Sequence, residues 1–288
     1  MLTDTRHFSI PLADGRTLEL GRRTLVMGIL NITPDSFSDG GLSLDPEAAV
    51  AAGLQMIEDG ADVLDVGGES TRPGAPAVPI DEEWRRLEPV LTRLVPLSRV
   101  PISVDTYKAD IADRALALGC TIVNDVSGLA YEPALAEVVA RRGAAVVLMH
   151  NRGRSSTMYA EAHYDDVVAE VKRELTEAGA RAVRAGVPET RIIYDPGLGF
   201  AKRAEHSWTL LTRMNELHTL GRPILSGPSR KSFLTRAIGD APPAERVWAT
   251  AAAVTASVLA GAHLVRVHDV KAMVQVVQVA DRVGSRVS

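Results

Sequence analysis

The sequence predicts an α/β fold, a single (β/α)8 TIM barrel with a short N-terminal β-hairpin, and three observations carry that expectation. Short apolar runs alternate eight times with longer stretches whose apolar residues recur every three or four positions. Strand–helix alternation imposes parallel pairing, and eight near-equal units suit a closed barrel better than an open doubly wound sheet. No low-complexity linker interrupts the series, so residues 24–288 read as one barrel domain behind a hairpin segment at 1–23. The hydrophobic fraction of 46% supplies the core that such a unit requires.

In chain order, residues 8–20 form two alternating runs around Asp14-Gly15, a hairpin turn signal, and this hairpin is expected to cap the barrel's bottom. Strands are expected at 24–31, 63–70, 100–106, 121–126, 144–150, 191–197, 223–229 and 264–270. Helices are expected at 46–60, 81–95, 108–119, 132–142, 164–186, 203–219, 243–261 and 270–283. Asp45-Pro46 places an N-cap before a proline at the first helical position, and Gly60 and Gly119 stand where helices should stop.

The strands share an unusual ending. They finish in Asn31, in Asp65 running on to Glu69-Ser70-Thr71-Arg72, and in Asp105-Thr106, Asn124-Asp125, His150 and Asp195. The last two finish in Ser229-Arg230-Lys231 and in Arg266 with His268. A barrel brings all these ends to one face, where crowded charges need partners or a ligand. The loop from Gly28 to Gly41, which leaves a buried strand for a Gly-flanked polar segment, has the form of a site loop held by a rigid strand.

Composition narrows the function. A net charge of −4 without a basic run argues against a nucleic-acid surface. The single cysteine, Cys120, excludes an internal disulfide, fits a reducing compartment and reads as a buried structural thiol. Residues 1–12 lack a signal-peptide core, and the Ala-rich run 247–265 is too weakly apolar for a membrane span. A cytoplasmic protein is expected.

Gly28-Ile-Leu-Asn-Ile-Thr-Pro-Asp-Ser-Phe-Ser-Asp-Gly-Gly41 and Asp65-Val-Gly-Gly-Glu-Ser-Thr-Arg-Pro-Gly-Ala75 resemble the two signature loops of the dihydropteroate synthase family. So do Ser103-Val-Asp-Thr106, Asn124-Asp125, Asp195-Pro-Gly-Leu-Gly-Phe200, Ser229-Arg-Lys-Ser232 and Arg266-Val-His-Asp269, and the likeness spans residues 24–283. It implies joining of 6-hydroxymethyl-7,8-dihydropterin diphosphate to 4-aminobenzoate, with Mg2+ as cofactor, sulfonamides as inhibitors and a homodimer through the C-terminal helices. By the same resemblance Asp195, Asp105, Asn124 and Lys231 read the pterin, with Met149 and Phe200 beside its ring. Asn31, Thr71, Arg266 and His268 meet the diphosphate, and Asn31 offers an oxygen to the metal. Phe37, Thr71, Arg72, Pro73, Phe200, Lys231 and Ser232 surround the aminobenzoate. The expected catalytic set is Lys231, Arg266, His268, Asp39 and Arg72.

The residues suit that chemistry. A buried carboxylate matches two parallel N–H donors of a pyrimidine edge. Arg266 and His268 stand two apart on one strand, so both emerge on the same side. Arg presents a donor fork to phosphate, and His donates a proton or a hydrogen bond. Asn31 provides a neutral oxygen of the kind Mg2+ prefers. An arylamine is neutral near pH 7, so a dissociative substitution needs no strong base, and no Ser-His-Asp or Cys-His arrangement is evident. Asp35 and Asp39 read either as organisers of closed loops or as solvated turn formers. Lys231 has a second reading as a Schiff-base lysine, which its Ser and Arg neighbours disfavour. Pro228 and Asn151-Arg152 depart from the family's usual pattern without removing a substrate group. Two rival functions remain: a pterin-binding methyltransferase, which has no need of the cationic set, and a non-catalytic pterin-binding paralogue.

Overall fold

A computed structural model describes residues 6–33, 45–70, 74–154 and 157–284. Strands β1 (Phe8–Pro11) and β2 (Thr17–Leu20) pair antiparallel as the expected hairpin. Eight parallel strands follow: β3 (Leu25–Asn31), β4 (Val63–Gly67), β5 (Ile102–Asp105), β6 (Ile122–Asp125), β7 (Ala145–Met149), β8 (Ile192–Asp195), β9 (Leu225–Ser226) and β10 (Leu264–Val267). Their order is β8-β7-β6-β5-β4-β3-β10-β9, and a parallel bridge from Tyr194 to Ile224 joins the two ends into a ring. The helices are α1 (Pro46–Glu58), α2 (Ile80–Leu97), α3 (Ala109–Ala117), α4 (Ala134–Arg142), α5 (Val167–Arg184), α6 (Ala204–Thr212), α7 (Thr235–Ile238), α8 (Val247–Leu259) and α9 (Val270–Val283).

The two-residue period of each strand sorts its side chains between two cores. Val26 and Leu30 of β3, Val104 of β5 and Val265 and Val267 of β10 point outward and pack under the helices. Leu25, Met27, Val63, Ile122, Val147, Ile193 and Leu264 point inward and fill the lower barrel. Ile10, Leu12, Leu18 and Leu20 of the hairpin join that same inner cluster, so the hairpin closes the bottom. One or two pleats higher on the same inward rows stand Asn31, Asp105, Asn124, Met149, Asp195 and Arg266. The interior thus passes from apolar at the base to polar at the C-terminal ends.

Local chemistry sets most boundaries. Asp45 caps α1 by accepting from the Glu47 amide at 2.9 Å, with Pro46 at the first turn. Some expected elements are shorter. Helix 164–186 begins only at Val167, where Asp166 accepts from Val168 and Ala169. The 203–219 helix leaves α geometry after Thr212 and continues as a 3-10 turn, Met214–Leu220. The 243–261 helix begins at Val247 after a separate 3-10 turn, Pro243–Glu245. The strand expected at 223–229 keeps only Leu225 and Ser226 in ladder pairing, because Pro223 and Pro228 lack the N–H that pairing needs. Helix α7, four residues long and just beyond Lys231, had no clear apolar period to announce it.

Candidate active site

The strand ends enclose a cavity of about 520 Å³. Every site residue expected from the sequence that lies among the described residues lines it: Asn31, Asp105, Asn124, Met149, Asp195, Phe200, Lys231, Ser232, Arg266 and His268. Phe37, Asp39, Thr71, Arg72 and Pro73, and with them Asp35, fall outside the described residues. The convergence follows from the parallel barrel, which brings residues 31 and 268 to one mouth.

At the centre, one guanidinium faces two carboxylates. Arg266 donates through Nε to Asp65 Oδ2 at 2.6 Å and through Nη2 to Asp105 Oδ2 at 2.7 Å. Asp65 Oδ2 also accepts from Asn124 Nδ2 at 2.8 Å. The sequence offers Arg266 as an open fork, but the structure commits two of its three nitrogens to carboxylates, and Nη1 has no hydrogen bond among the described residues. Asp65 has no solvent exposure, and the sequence alone gives it no role beyond its place at a strand end. The available signal was a charged residue in the middle of an apolar strand, which has to find a cation. Burial lifts the Asp105 carboxyl to about 7; Arg266 opposes the rise, and Asp65 and Glu83 add to it.

Asp195 stands across the cavity floor. Its Oδ1 accepts from the Gly197 amide at 2.7 Å, while Oδ2 has no hydrogen bond among the described residues. Burial raises its pKa as well. The Asp195–Phe200 turn relies on Gly197, whose φ of +67° is left-handed and whose missing Cβ would collide with the His150 carbonyl. The Lys231 ammonium lies 3.7 Å from the centre of the Phe200 ring, a cation–π contact that sets the two side by side.

His268 is neutral here. Burial, with Arg266, Arg230 and Lys231 nearby, pushes its pKa down to about 3. Ser229 Oγ accepts from the His268 backbone N–H at 3.1 Å and lies 3.0 Å from His268 Nδ1, so one hydroxyl holds both the backbone and the ring of His268 in place. Arg230 lines the cavity but bonds Asp269 through Nε and Nη2, at 3.0 and 2.6 Å. Glu69 is fixed at the root of the β4 loop by Lys108 at 2.6 Å, Tyr107 at 3.0 Å and the Val78 amide at 3.1 Å. Met158, Tyr159 and Arg246 also border the cavity. They lie far along their loops from any strand end, so strand-end reasoning passed over them.

A donor set for zinc or iron is not evident, since among the described residues no group of three His, Cys, Asp or Glu side chains could hold a metal ion. No helix of the described residues is long and apolar enough to cross a membrane.

The model of the pterin binding enzyme family matches residues 27–268. A dihydropteroate synthase from Synechocystis sp. is 45% identical over 96% of this chain and 96% of its own length. The solved structure of the Xanthomonas albilineans dihydropteroate synthase with 4-aminobenzoic acid superposes with a TM-score of 0.87 at 45% identity, covering 95% of this chain and 98% of that one. The Yersinia pestis dihydropteroate synthase with a sulfonamide drug gives 0.89 at 37% identity, covering 97% and 100%. The same interior rows that carry the polar floor here therefore sit on a shared backbone frame. On sequence and fold together, this chain belongs to the dihydropteroate synthase family of pterin-binding enzymes.

Proposed function

We propose that the chain condenses 6-hydroxymethyl-7,8-dihydropterin diphosphate with 4-aminobenzoate to give 7,8-dihydropteroate and diphosphate. One observation carries the assignment of roles: a single cavity joins a buried carboxylate and amide floor, Asp105, Asn124 and Asp195, to the donors Lys231, Arg266 and His268. The Asp195 carboxylate takes two parallel donors of the pterin's pyrimidine edge, Asp105 and Asn124 meet the other edges, and Met149 packs on the ring face. Arg266 and His268 hold the diphosphate as its charge develops.

The substitution is dissociative. The bond from the exocyclic methylene to oxygen breaks, and its electron pair leaves with diphosphate. The methylene cation is spread into the pterin ring. The amine nitrogen of 4-aminobenzoate then attacks, forming the C–N bond and releasing one proton. Lys231 and Phe200 flank the incoming arylamine, and Ser232 meets its carboxylate, with Phe37, Thr71, Arg72 and Pro73 completing that side by family resemblance. Asp39 and Arg72 belong to the catalytic set in the same reading, on resemblance alone.

Asn31 fits a Mg2+ ion that takes most of its ligands from the substrate: it offers a neutral carboxamide oxygen at the cavity wall, and the described residues hold no rival cage of carboxylates. When bound, Mg2+ would neutralise charge on the departing diphosphate. Trp248 on α8 is 83% exposed and Val279 on α9 is 66% exposed, and a homodimer through these helices, which would cover such apolar side chains, is part of the proposal. Sulfonamides compete for the aminobenzoate side, as the drug-bound Yersinia pestis relative suggests. The protein works in the cytoplasm, which suits its one free, buried thiol.

Incubation with the pterin diphosphate, 4-aminobenzoate and Mg2+ should yield dihydropteroate and diphosphate. Tight pterin binding without product would instead identify a non-catalytic pterin binder.

A further inference from the structure

Lys202 is 2% exposed and ranks among the largest fully buried side chains, yet no step of the proposed reaction uses it. Three acceptors surround its Nζ: His150 Nδ1 at 2.8 Å, the Phe200 carbonyl at 2.9 Å and the His150 carbonyl at 3.4 Å. An ammonium has three protons and no lone pair, so it can donate to all three at once, and a side chain of that length without N–H groups donates to none. His150 is itself held. Because Nδ1 accepts from Lys202, its proton sits on Nε2 and bonds Glu174 Oε2 at 3.0 Å, and Glu174 in turn pairs with Arg152. Burial pushes His150 down to about 4, so the ring stays a neutral acceptor toward the lysine.

The two carbonyls belong to the two segments that make the cavity floor. His150 follows Met149 at the end of β7, and Phe200 closes the turn that begins at Asp195. The segments are laced elsewhere by the His150 amide, which bonds the Asp195 carbonyl at 2.8 Å. Lys202 makes the second tie, at the far end of the turn. Burial lowers the Lys202 ammonium to about 7 against the pull of the Asp195 charge, and burial raises Asp195 against the weaker pull of Lys202.

We propose that Lys202 is a positioning residue for the pterin. Its ammonium binds the Phe200 and His150 carbonyls together and so holds the Asp195–Phe200 turn at the height that presents Asp195 to the heterocycle. This rests on the pterin assignment above. Turnover by the unaltered protein tests that assignment separately, so the two can fail independently.

The experiment is steady-state kinetics of Lys202→Met, which keeps the aliphatic stem and removes the donors. The KM for the pterin diphosphate should rise about tenfold, the worth of one hydrogen bond from a charged group, while kcat and the KM for 4-aminobenzoate change less than about twofold. A general loosening of the barrel would move both KM values together and would overturn the proposal, as would an unchanged pterin KM. If Lys202→Met does not fold, His150→Leu decides. It removes the side-chain acceptor and leaves both carbonyls, so the pterin KM should rise by roughly threefold with the aminobenzoate KM steady. A folded His150→Leu protein with both values unchanged would refute the role.

Discussion

Arg266 answers to two buried carboxylates and, in the proposed reaction, to a diphosphate as well. One positive charge shared by Asp65 and Asp105 leaves a negative charge in excess, which is why burial can lift Asp105 so far despite an ion pair at 2.7 Å. Arg266→Ala removes the phosphate donor, but Asp105 can take up a proton and blunt the structural cost. Turnover should fall by about a thousandfold, while stability drops by about 3 kcal/mol, the low end for a broken buried pair. Comparing kcat with denaturant unfolding checks both halves, and undiminished kcat removes Arg266 from the mechanism. Asp65→Asn is subtler. It keeps the shape and an oxygen for Asn124 but weakens the Nε anchor, so turnover should drop roughly tenfold with the protein still folded. Equal activity in that variant would mean that Asp65 only fills space.

The elements show what a sequence discloses and what it withholds. Strand β3 is readable because Leu25, Met27, Ile29 and Asn31 share one face while Val26 and Leu30 share the other, and a local period of two suffices to see it. The same counting gives the cap at Asp45 and the site row at every strand end. The Asp65–Arg266 pair is not readable this way, since its partners lie 201 residues apart and no local pattern links them. Nor is α7, whose four residues are too few to display a period. Lys202 follows one Ala after Phe200 and looks like a surface cation, and only the packed β7 and β8 loops reveal its burial.

Two element-scale outcomes follow from that packing. Gly197→Ala places a methyl group against the His150 carbonyl at a left-handed φ, so the Asp195 turn has to move. Pterin affinity, measured by fluorescence quenching, should fall at least tenfold, at a folding cost of about 1–3 kcal/mol. Leu20→Ala, at the barrel's opposite end, should instead cost about 2–5 kcal/mol of stability and leave both KM values unchanged. A shift in KM there would mean that the hairpin reaches the site through the barrel, contrary to a plug that only closes the base.

Across the whole molecule, the mouth holds buried acids that favour their protons and buried histidines that refuse them. Asp105 is lifted to about 7 and Asp195 is raised, while His150 and His268 are depressed to about 4 and about 3. For Asp105 the folded value exceeds the unfolded one, so its contribution to stability is full below the ordinary carboxylate range and is lost as pH rises through about 7. A pterin whose ring N–H groups need carboxylate acceptors reverses that balance by stabilising the ionised acids. Near pH 6 Lys202, depressed to about 7, still holds its proton, and both histidines are already neutral, so the acids are the groups left to respond. Binding of 6-hydroxymethylpterin, which lacks the diphosphate that would draw a proton onto His268, should therefore release protons. Titration calorimetry in two buffers of different ionisation enthalpy measures that number directly. The same linkage makes the ligand's thermal stabilisation of the protein larger at about pH 6 than at about pH 5, a range in which Lys202 keeps its proton and both histidines stay neutral. Proton uptake, or a thermal shift that shrinks as pH rises, would show that the acids of the mouth meet the ring in their neutral form and donate to it, which would exchange the donors and acceptors in the pterin assignment.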